Sequence, residues 1–497
     1  MRKSILTDLG KHSTLGLYPR GAMTPSDATP HDPPGPAGPS GPLLEVDPLA
    51  VELGERFATA GYKLYLVGGA VRDLLMGRPA RGELDFATDA KPEDIVRVVT
   101  GWAEQKYLQG IRFGTVGVKK AGLDLQITTF RQEVYPEDDR HPDVTFASEL
   151  EVDLSRRDFT VNAMAVRLPG REFVDPFGGV RDLAAKRLDT PLDPEISFGD
   201  DPLRMVRATR FVASLGLVPT PRVVEAMRRM AGRLEIVSAE RIRDELSRLL
   251  VAAWPAPGLE LVVDTGLADV FLPELPALKV EQDPVHQHKD ILKHTLVVVE
   301  NCQADLVLRL AALLHDVGKP STKKVTDEGV QFHHHEVVGA RMAEARLRAL
   351  RYPNDVAAEV VRLVEMHLRF HSYRLGWTDA AVRRYVREAG PLLDRLNQLV
   401  RADCTTQNPF RAKQLAALQD DLELRIARLA EQENLEKIRP PLDGNEVMEH
   451  LRLKPGPLIG EALSYLLEER LERGPVDKDE AYKLLDAWAK ERGIDTQ

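Results

Sequence analysis

The alternation of apolar and polar residues along this chain changes period twice. YKLYLV, residues 62–67, is a short apolar run and predicts a strand; Gly68-Gly69 breaks it, and AVRDLLMG reads as a helix entered through a tight turn. A short helix from about Asp47 through Arg56 precedes that strand. In ELDFA the apolar Leu84 and Phe86 alternate with Glu83 and Asp85, so a strand here turns both carboxylates to one side. KPEDIVRVVTGWAE places a proline in the first turn of a helix. RFGTVGVKK and LDLQITTFR alternate again, divided by Ala121-Gly122, a pair suited to a hairpin turn. SRRDFTVNAMAVRL and REFVDPFGG complete residues 45–190 as a compact α/β or α+β domain.

Beyond Phe198 the period is almost wholly helical. DDPLRMVRATRFVASLG, PRVVEAMRRMAGRL and SAERIRDELSRLLVAA each carry an apolar stripe within residues 191–280. Residues 281–410 form a second helical region crowded with histidine, and residues 411–497 continue as helix with Pro-Gly breaks. By contrast PRGAMTPSDATPHDPPGPAGPSGPL is dense in proline and glycine without a collagen period, so residues 1–44 read as a disordered lead-in.

Composition narrows the compartment and the partner. With 497 residues, 43% of them hydrophobic, the chain can bury several cores. It has no run of about 18 uncharged apolar residues, which argues against a membrane span. MRKSILTDLG lacks the apolar segment a signal peptide carries after its charges. Two cysteines, Cys302 and Cys404, exclude a disulfide framework and a thiolate zinc site, so the cytoplasm is the expected compartment. A formal net charge of −10 argues against a nucleic-acid partner unless the cations are gathered locally. Arg204, Arg207, Arg210, Arg222, Arg228, Arg229, Arg233, Arg241, Arg243 and Arg248 form such a gathering. The alternative is a solvated helix face, threaded by Glu225, Glu235, Glu240 and Glu245.

Three constellations carry chemistry. Glu83 and Asp85 can converge on one cation, while Gly68 and Gly69 let phosphate approach backbone N–H groups with Arg72 to neutralise it. Nucleotidyl transfer needs this combination, because Mg²⁺ must bridge a triphosphate and activate a hydroxyl. An ordinary turn before a wet strand face is the alternative. On the LDLQITT strand, Asp124, Gln126 and Thr128 share a face; central Gln126 is neutral, so Asp124 is the charged candidate for a third metal ligand.

In the second constellation, Arg156, Arg157 and Asp158 precede Asn162, giving either a triphosphate clamp with a ribose contact or a salt-bridged helix start. Asp201 and Arg204 stand three apart, with Arg207 and Arg210 continuing the line. Cytosine and adenine each offer an amino donor beside a ring-nitrogen acceptor, which an Asp–Arg pair matches, whereas uracil and guanine present a carbonyl and an N–H. An i,i+3 salt bridge is the alternative. In the third, His294, the adjacent His315-Asp316 and Asp403 are candidates for one set of metal ligands, the alternative being structural histidines. His334 or His335, with His367 and His371, form a second set bridged by Asp316.

The stretches LVGGAVRDLLMGR, LDFATDA, ITTFR, RRDFTVNAMAV, DPFGGVRDL, DPLRMVRATRF and RIRDELSRLL, in order over residues 60–250, resemble the bacterial class II tRNA nucleotidyltransferase and poly(A) polymerase family. The likeness is greatest to CCA-adding members of actinobacterial type, and the order H…HD…H…H…D resembles the HD phosphohydrolase superfamily. The resemblance implies an α+β nucleotidyltransferase (polymerase beta-like) head with a mixed sheet over 45–190. An all-helical neck over 191–280, an HD-containing body over 281–410 and a tail over 411–497 would follow. It implies CTP and ATP as substrates, the tRNA 3′ end as partner, Mg²⁺ in the head, and a divalent metal (Mg, Mn, Ni, Co or Fe) in the HD site.

By the same resemblance Gly68, Gly69 and Arg72 meet the triphosphate, Glu83 and Asp85 hold the metals, and Arg157, Asp158 and Asn162 position the nucleotide. Asp201 and Arg204, with Arg207 beside them, read the base. Lys437, Arg439, Arg452 and Lys454 would touch the tRNA elbow. Three positions depart from the family pattern: Glu83 replaces an aspartate, Gln126 an acidic residue, and Asp200 the usual glutamate before Asp201. The activities to separate are full CCA addition, CC-only, A-only or poly(A) synthesis, hydrolysis at the HD site behind a degenerate head, and RNA binding without catalysis.

Overall fold

The computed structural model describes residues 44–78, 83–134, 143–146, 149–279, 290–326, 329–404, 408–433 and 438–494. Apart from Leu44, the proline-rich lead-in lies outside the described residues, as does Lys437. Helix α1 (Pro48–Thr59) starts where Asp47 accepts a hydrogen bond from the Leu49 N–H at 2.8 Å, with Pro48 at its first position. It leads into β1 (Leu64–Val67), α2 (Gly69–Leu75), β2 (Glu83–Thr88), α3 (Pro92–Val99), β3 (Gln105–Tyr107), β4 (Thr115–Lys120) and β5 (Leu123–Thr129). A two-stranded hairpin of β6 (Arg131–Val134) and β7 (Asp143–Phe146) precedes α4 (Leu150–Ser155), β8 (Ala165–Leu168) and β9 (Glu172–Val174).

The main sheet has the order β3-β4-β5-β2-β1-β8-β9 and is mixed: β2 and β5 run parallel, and the other neighbours antiparallel. Strand alternation sorts its two faces. Leu84, Phe86, Leu125 and Ile127 pack with Leu53, Phe57, Ile95 and Val99 of α1 and α3 into a buried core, and Glu83, Asp85, Asp124 and Gln126 stand on the opposite, open side. β4 and β5 are joined by Ala121 and Gly122 at φ 50° and 80°, the positive values that a two-residue hairpin demands.

After α5 (Gly179–Ala184) the chain is largely helical. α6 (Pro194–Asp200) and α7 (Leu203–Leu215) are followed by α8 (Pro221–Met230) and α9 (Ala239–Leu250). One hydrophobic cluster runs without a break from Phe159 through these helices to Leu429, and residues from Leu442 to Ala489 close a separate core of their own. The molecule is thus an α+β head followed by helices. Local structure departs from pattern at one point and closes an alternative at another. The salt-bridged helix start considered for SRRDF is absent, because α4 ends at Ser155 and a 3₁₀ turn over Thr160–Asn162 leads into β8. VQF, in the histidine-rich region, is a strand paired with Lys323–Thr326, and the helix begins only at His335.

Candidate active site and metal cluster

The double-glycine turn is where the first site is assembled. Gly68 sits at φ 74°, and a Cβ there would lie 2.8 Å from Arg157 Nη1 and 3.8 Å from Asp85 Oδ2. The positive φ calls for glycine, and a Cβ there would also have to displace the Arg157 guanidinium. In the parallel register Asp85 stands opposite Gln126 and Glu83 opposite Asp124, and Gln126 Nε2 donates to Glu83 Oε1. A cavity of about 350 Å³ opens over this face. It is lined by Asp85 and Gln126 on the sheet, Arg156, Arg157 and Asp158 after α4, and Asp201, Arg204, Arg207 and Arg241 from the helical side. Burial on the cavity floor, with Glu83 adding to it, raises the Asp85 pKa against the pull of Arg157 and Arg207. Among the described residues neither Glu83 nor Asp85 is in an ion pair. An all-oxygen pair two apart on a strand suits Mg²⁺. Asp124 lies with Glu83 in an adjoining groove, outside the cavity that holds Asp85.

The walls are held by a buried polar chain. Arg72 donates to Asp73 Oδ1 at 2.8 Å and to Asn162 Oδ1 at 2.7 Å; Asn162 donates to Asp158 Oδ1 at 2.9 Å. Asp158 Oδ2 accepts from Arg207 Nη2 at 2.6 Å, and Arg207 Nη1 reaches Glu245 at 3.4 Å. Burial alone would raise the Asp158 carboxyl, but Arg207 and the Asn162 hydrogen bond win and hold it at about 2. Asn162 is therefore buried behind the cavity wall, outside the lining where a ribose contact was expected.

Asp201 and Arg204 both line the cavity without pairing to each other. Asp201 accepts from Leu203 N–H at 3.1 Å and from Arg241 at 2.8 Å, while Arg204 donates to Ser197 Oγ at 2.9 Å and to the Arg156 carbonyl at 2.6 Å. Among the described residues no Asp201–Arg204 ion pair exists, so the i,i+3 salt-bridge alternative fails.

Two contributors escaped the sequence reading. Arg241 was taken only as one of a basic run, and Glu245 as part of a solvated face. Glu245 is 4% exposed and faces Arg207 and Arg210, the latter at 2.7 Å. Its place among Ile242, Leu246 and Leu249 on the buried side of α9 was the available signal. Arg207 and Arg210 turn inward with it, so the neck arginines do not form one continuous outer stripe.

The histidine-rich region builds a second, separate cluster. His294, His315 and Asp403 form one group of potential ligands, and Asp316, His335 and His367 another. His294 Nε2 lies 2.9 Å from Asp403 Oδ1, and His315 Nε2 3.2 Å from Asp316 Oδ2. Nδ1 of His315, His335 and His367 lies 2.7, 2.8 and 2.6 Å from the carbonyls of Ala312, Phe332 and Val364. A carbonyl can only accept, so each Nδ1 carries a proton and Nε2 is the atom turned to the cluster; a cation bound at His315 would displace its second proton. Those three Nε2 atoms and Asp316 Oδ1 are buried without a hydrogen-bond partner, which is the signature of a metal site. Burial, reinforced by His315, pushes His367 down to about 3; at His315 burial is outweighed by Asp316 and Asp403, which push it up to about 10.

Of the two candidates at 334 and 335, only His335 joins this cluster. His334 takes a left-handed conformation at φ 58° as the residue before the helix, and its side chain is 84% exposed. His371 stands at the rim, 4.0 Å from Asp403 Oδ2.

Comparison with known proteins agrees with this layout. Residues 64–189 match the Poly A polymerase head domain, 216–278 the probable RNA and SrmB-binding site of polymerase A, and 292–433 the HD domain. The A-adding tRNA nucleotidyltransferase of Deinococcus radiodurans is 34% identical over 86% of this chain and 95% of its own. The CC-adding tRNA nucleotidyltransferase of Thermus thermophilus is 34% identical over 85% and 93%. The CCA-adding enzyme of Anoxybacillus flavithermus is 40% identical, but over 47% of this chain and 57% of its own length. The crystal structure of the Bacillus stearothermophilus CCA-adding enzyme in complex with CTP superposes with a TM-score of 0.65 at 27% identity, covering 89% of this chain and 98% of that one. Full-length likeness at this level, over a head and an HD domain in the same order, shows that the chain belongs to the tRNA nucleotidyltransferase and poly(A) polymerase family, with an attached HD domain.

Proposed function

We propose that this enzyme transfers CMP and AMP from CTP and ATP to the 3′ end of tRNA, without a nucleic-acid template, completing the terminal CCA. The observation that carries the reading is the single polar cavity joining Asp85 to Arg157, Asp158, Asp201, Arg204 and Arg207. Glu83 and Asp85 would hold Mg²⁺, which when bound lowers the pKa of the attacking hydroxyl and offsets triphosphate charge. Arg157, beside Gly68, lines the cavity and would meet the triphosphate; Arg72 lies outside the lining, tied to Asp73 and Asn162, and would act through that chain. The tRNA 3′-hydroxyl attacks the α-phosphorus; the new O–P bond forms as the α–β bridging bond breaks and pyrophosphate leaves.

Asp158 in the wall and Asn162 behind it hold Arg207 and Arg72 in place. Each Asp201 oxygen keeps a lone pair beyond its present partner, enough to accept from the amino group of C or A, while Arg204 donates to the ring nitrogen. Two relatives matched over nearly their whole length are an A-adding and a CC-adding enzyme, so the product is the first thing to measure. Purified protein is incubated with tRNA lacking CCA and each labelled nucleotide in turn. C followed by A is expected; arrest after C, or action only on tRNA already ending in CC, assigns the narrower specificity. Asp85→Asn should abolish incorporation, and persistence of activity in that variant would overturn the metal assignment.

The same reading divides the chain into a head (45–190), neck (191–280), HD body (281–410) and tail (411–497). It ranks the chain with the actinobacterial-type CCA-adding members, on its motifs, and places it in the cytoplasm with its tRNA substrate. Among the described residues no helix is long and apolar enough to cross a membrane.

The unpartnered nitrogens at His315, His335 and His367 favour a second activity, metal-dependent phosphoester hydrolysis, with His294, Asp316 and Asp403 completing the ligands. Asp316→Asn should remove phosphate release and leave nucleotide incorporation unchanged.

A further inference from the structure

The cross-strand register lines up a row of side chains on the open face of the sheet. Asp85 pairs with Gln126, Gln126 with Gly117, and Gly117 with Tyr107. Directly paired residues point to the same side, so one face carries carboxylate, amide, an empty position and an aromatic ring in sequence. The next row reads Glu83, Asp124, Lys119, Gln105. Over these rows lies a groove of about 590 Å³, lined by Glu83, Tyr107, Gly110, Gly117, Asp124 and Gln126. It shares Thr115 and Gln126 with the cavity already described, but the two carboxylates are divided between them: Asp85 opens into the cavity, Glu83 into the groove.

That division has a chemical meaning. Nucleotidyl transfer joins two reactants at one metal-binding pair, and in-line displacement brings the attacking hydroxyl from the side away from the leaving pyrophosphate. The arginine-walled cavity has the charge for a triphosphate. The groove, with two carboxylates and few cations, does not; it has room, an exposed ring and a direct opening to Glu83.

Tyr107 is 41% exposed on the edge strand β3, and its hydroxyl is tied to Gln105 at 2.6 Å. A Cβ at Gly117 would stand 3.2 Å from Tyr107 Cβ, so the missing side chain leaves a trough between the ring and Gln126. Three strand spacings separate Tyr107 from Asp85, on the order of 14 Å, about the reach of one nucleotide stacked on the ring with its sugar at the carboxylates. Lys119, on the same face, supplies a cation beside that path.

We infer that this groove receives the terminal nucleotide of the RNA primer, with the Tyr107 ring as the surface on which its base stacks. The inference rests on the nucleotidyl-transfer reading. A stacked base carries no sequence requirement, which suits a site that must accept whichever nucleotide ends the primer as it grows.

The test compares wild type, Tyr107→Phe and Tyr107→Ala in nucleotide addition to tRNA lacking CCA, with KM measured separately for tRNA and CTP. Tyr107→Ala should raise the KM for tRNA by roughly tenfold, the effect of losing one stacked base, and leave the KM for CTP within twofold. Tyr107→Phe should behave as wild type. In a second measurement, tRNA carrying 2-aminopurine as its 3′ nucleotide should lose fluorescence on binding wild type and Tyr107→Phe, but not Tyr107→Ala. An unchanged tRNA KM in Tyr107→Ala, an equal rise in both KM values, or equal quenching by all three proteins would overturn the inference while leaving the transferase reading intact. Failure of the wild type to add any nucleotide would overturn both.

Discussion

Asp85 and Asp158 are both carboxylates in one cavity wall, and their surroundings push them in opposite directions. Asp85 is raised from its ordinary value by desolvation on the cavity floor and by Glu83, against Arg157 and Arg207, so its charge is disfavoured there and a cation would relieve it. Asp85→Asn should therefore abolish incorporation with a melting temperature equal to or above wild type, measured without metal; a marked fall would show that Asp85 is structural. Asp158, held at about 2, behaves the other way. A carboxyl depressed in the folded state stabilises it above the ordinary carboxylate range and loses that contribution as pH falls toward 2. The contribution is ~2 kcal/mol. Asp158→Asn should be clearly less stable than wild type near neutrality, and the gap should close on acidification, as read by denaturant unfolding across pH.

At the level of elements, strand register decides which polar groups meet. Because β2 and β5 run parallel with Glu83 opposite Asp124, the expected third carboxylate is neutral Gln126 beside Asp85, and Asp124 lies one pair away next to Glu83. Asp124 keeps negative charge close to Glu83 without entering the cavity. Asp124→Asn should raise the Mg²⁺ concentration needed for half-maximal incorporation by a few-fold, with little change in the KM for CTP. An unaltered Mg²⁺ dependence would remove Asp124 from the site. Helices α7 and α9 do the corresponding work on the other wall. Their facing sides bring Glu245 to Arg207 and Arg210, so the arginines are aimed by a buried partner.

Across the whole molecule, the two sites are built differently and should respond differently to metal. The head cavity is open and polar, whereas the HD cluster is buried, with three imidazole nitrogens and a carboxylate oxygen lacking partners. Leaving such groups unpaired is costly, and a cation that binds only the folded state stabilises it by mass action. Mn²⁺ or Mg²⁺ should raise the melting temperature by a few degrees over EDTA, and His335→Ala should abolish most of that rise. Because one core is continuous from Phe159 to Leu429, the neck and HD region should melt in a single transition, and metal should shift all of it. The part of the tail from Leu442 to Ala489, with its own core, is free of that requirement.

Sequence alone determined the local decisions: the glycine turn after an apolar strand, the carboxylates two apart on one strand face, the Ala121-Gly122 hairpin, and the long helical stripes. These follow from backbone sterics and from periods of two and 3.6 residues, which act over a few neighbours. The two groups of potential metal ligands, apart from the choice between His334 and His335 and from His371 at the rim, were legible as histidines and aspartates interrupting apolar runs. Tertiary structure decided the rest, because pairing across 40 to 50 residues leaves no local trace. It set Gln126 against Asp85, turned Glu245 inward to aim Arg207, gave Asp201 to Arg241 instead of Arg204, hid Asn162 behind the wall, and placed Tyr107 in the same row as Asp85.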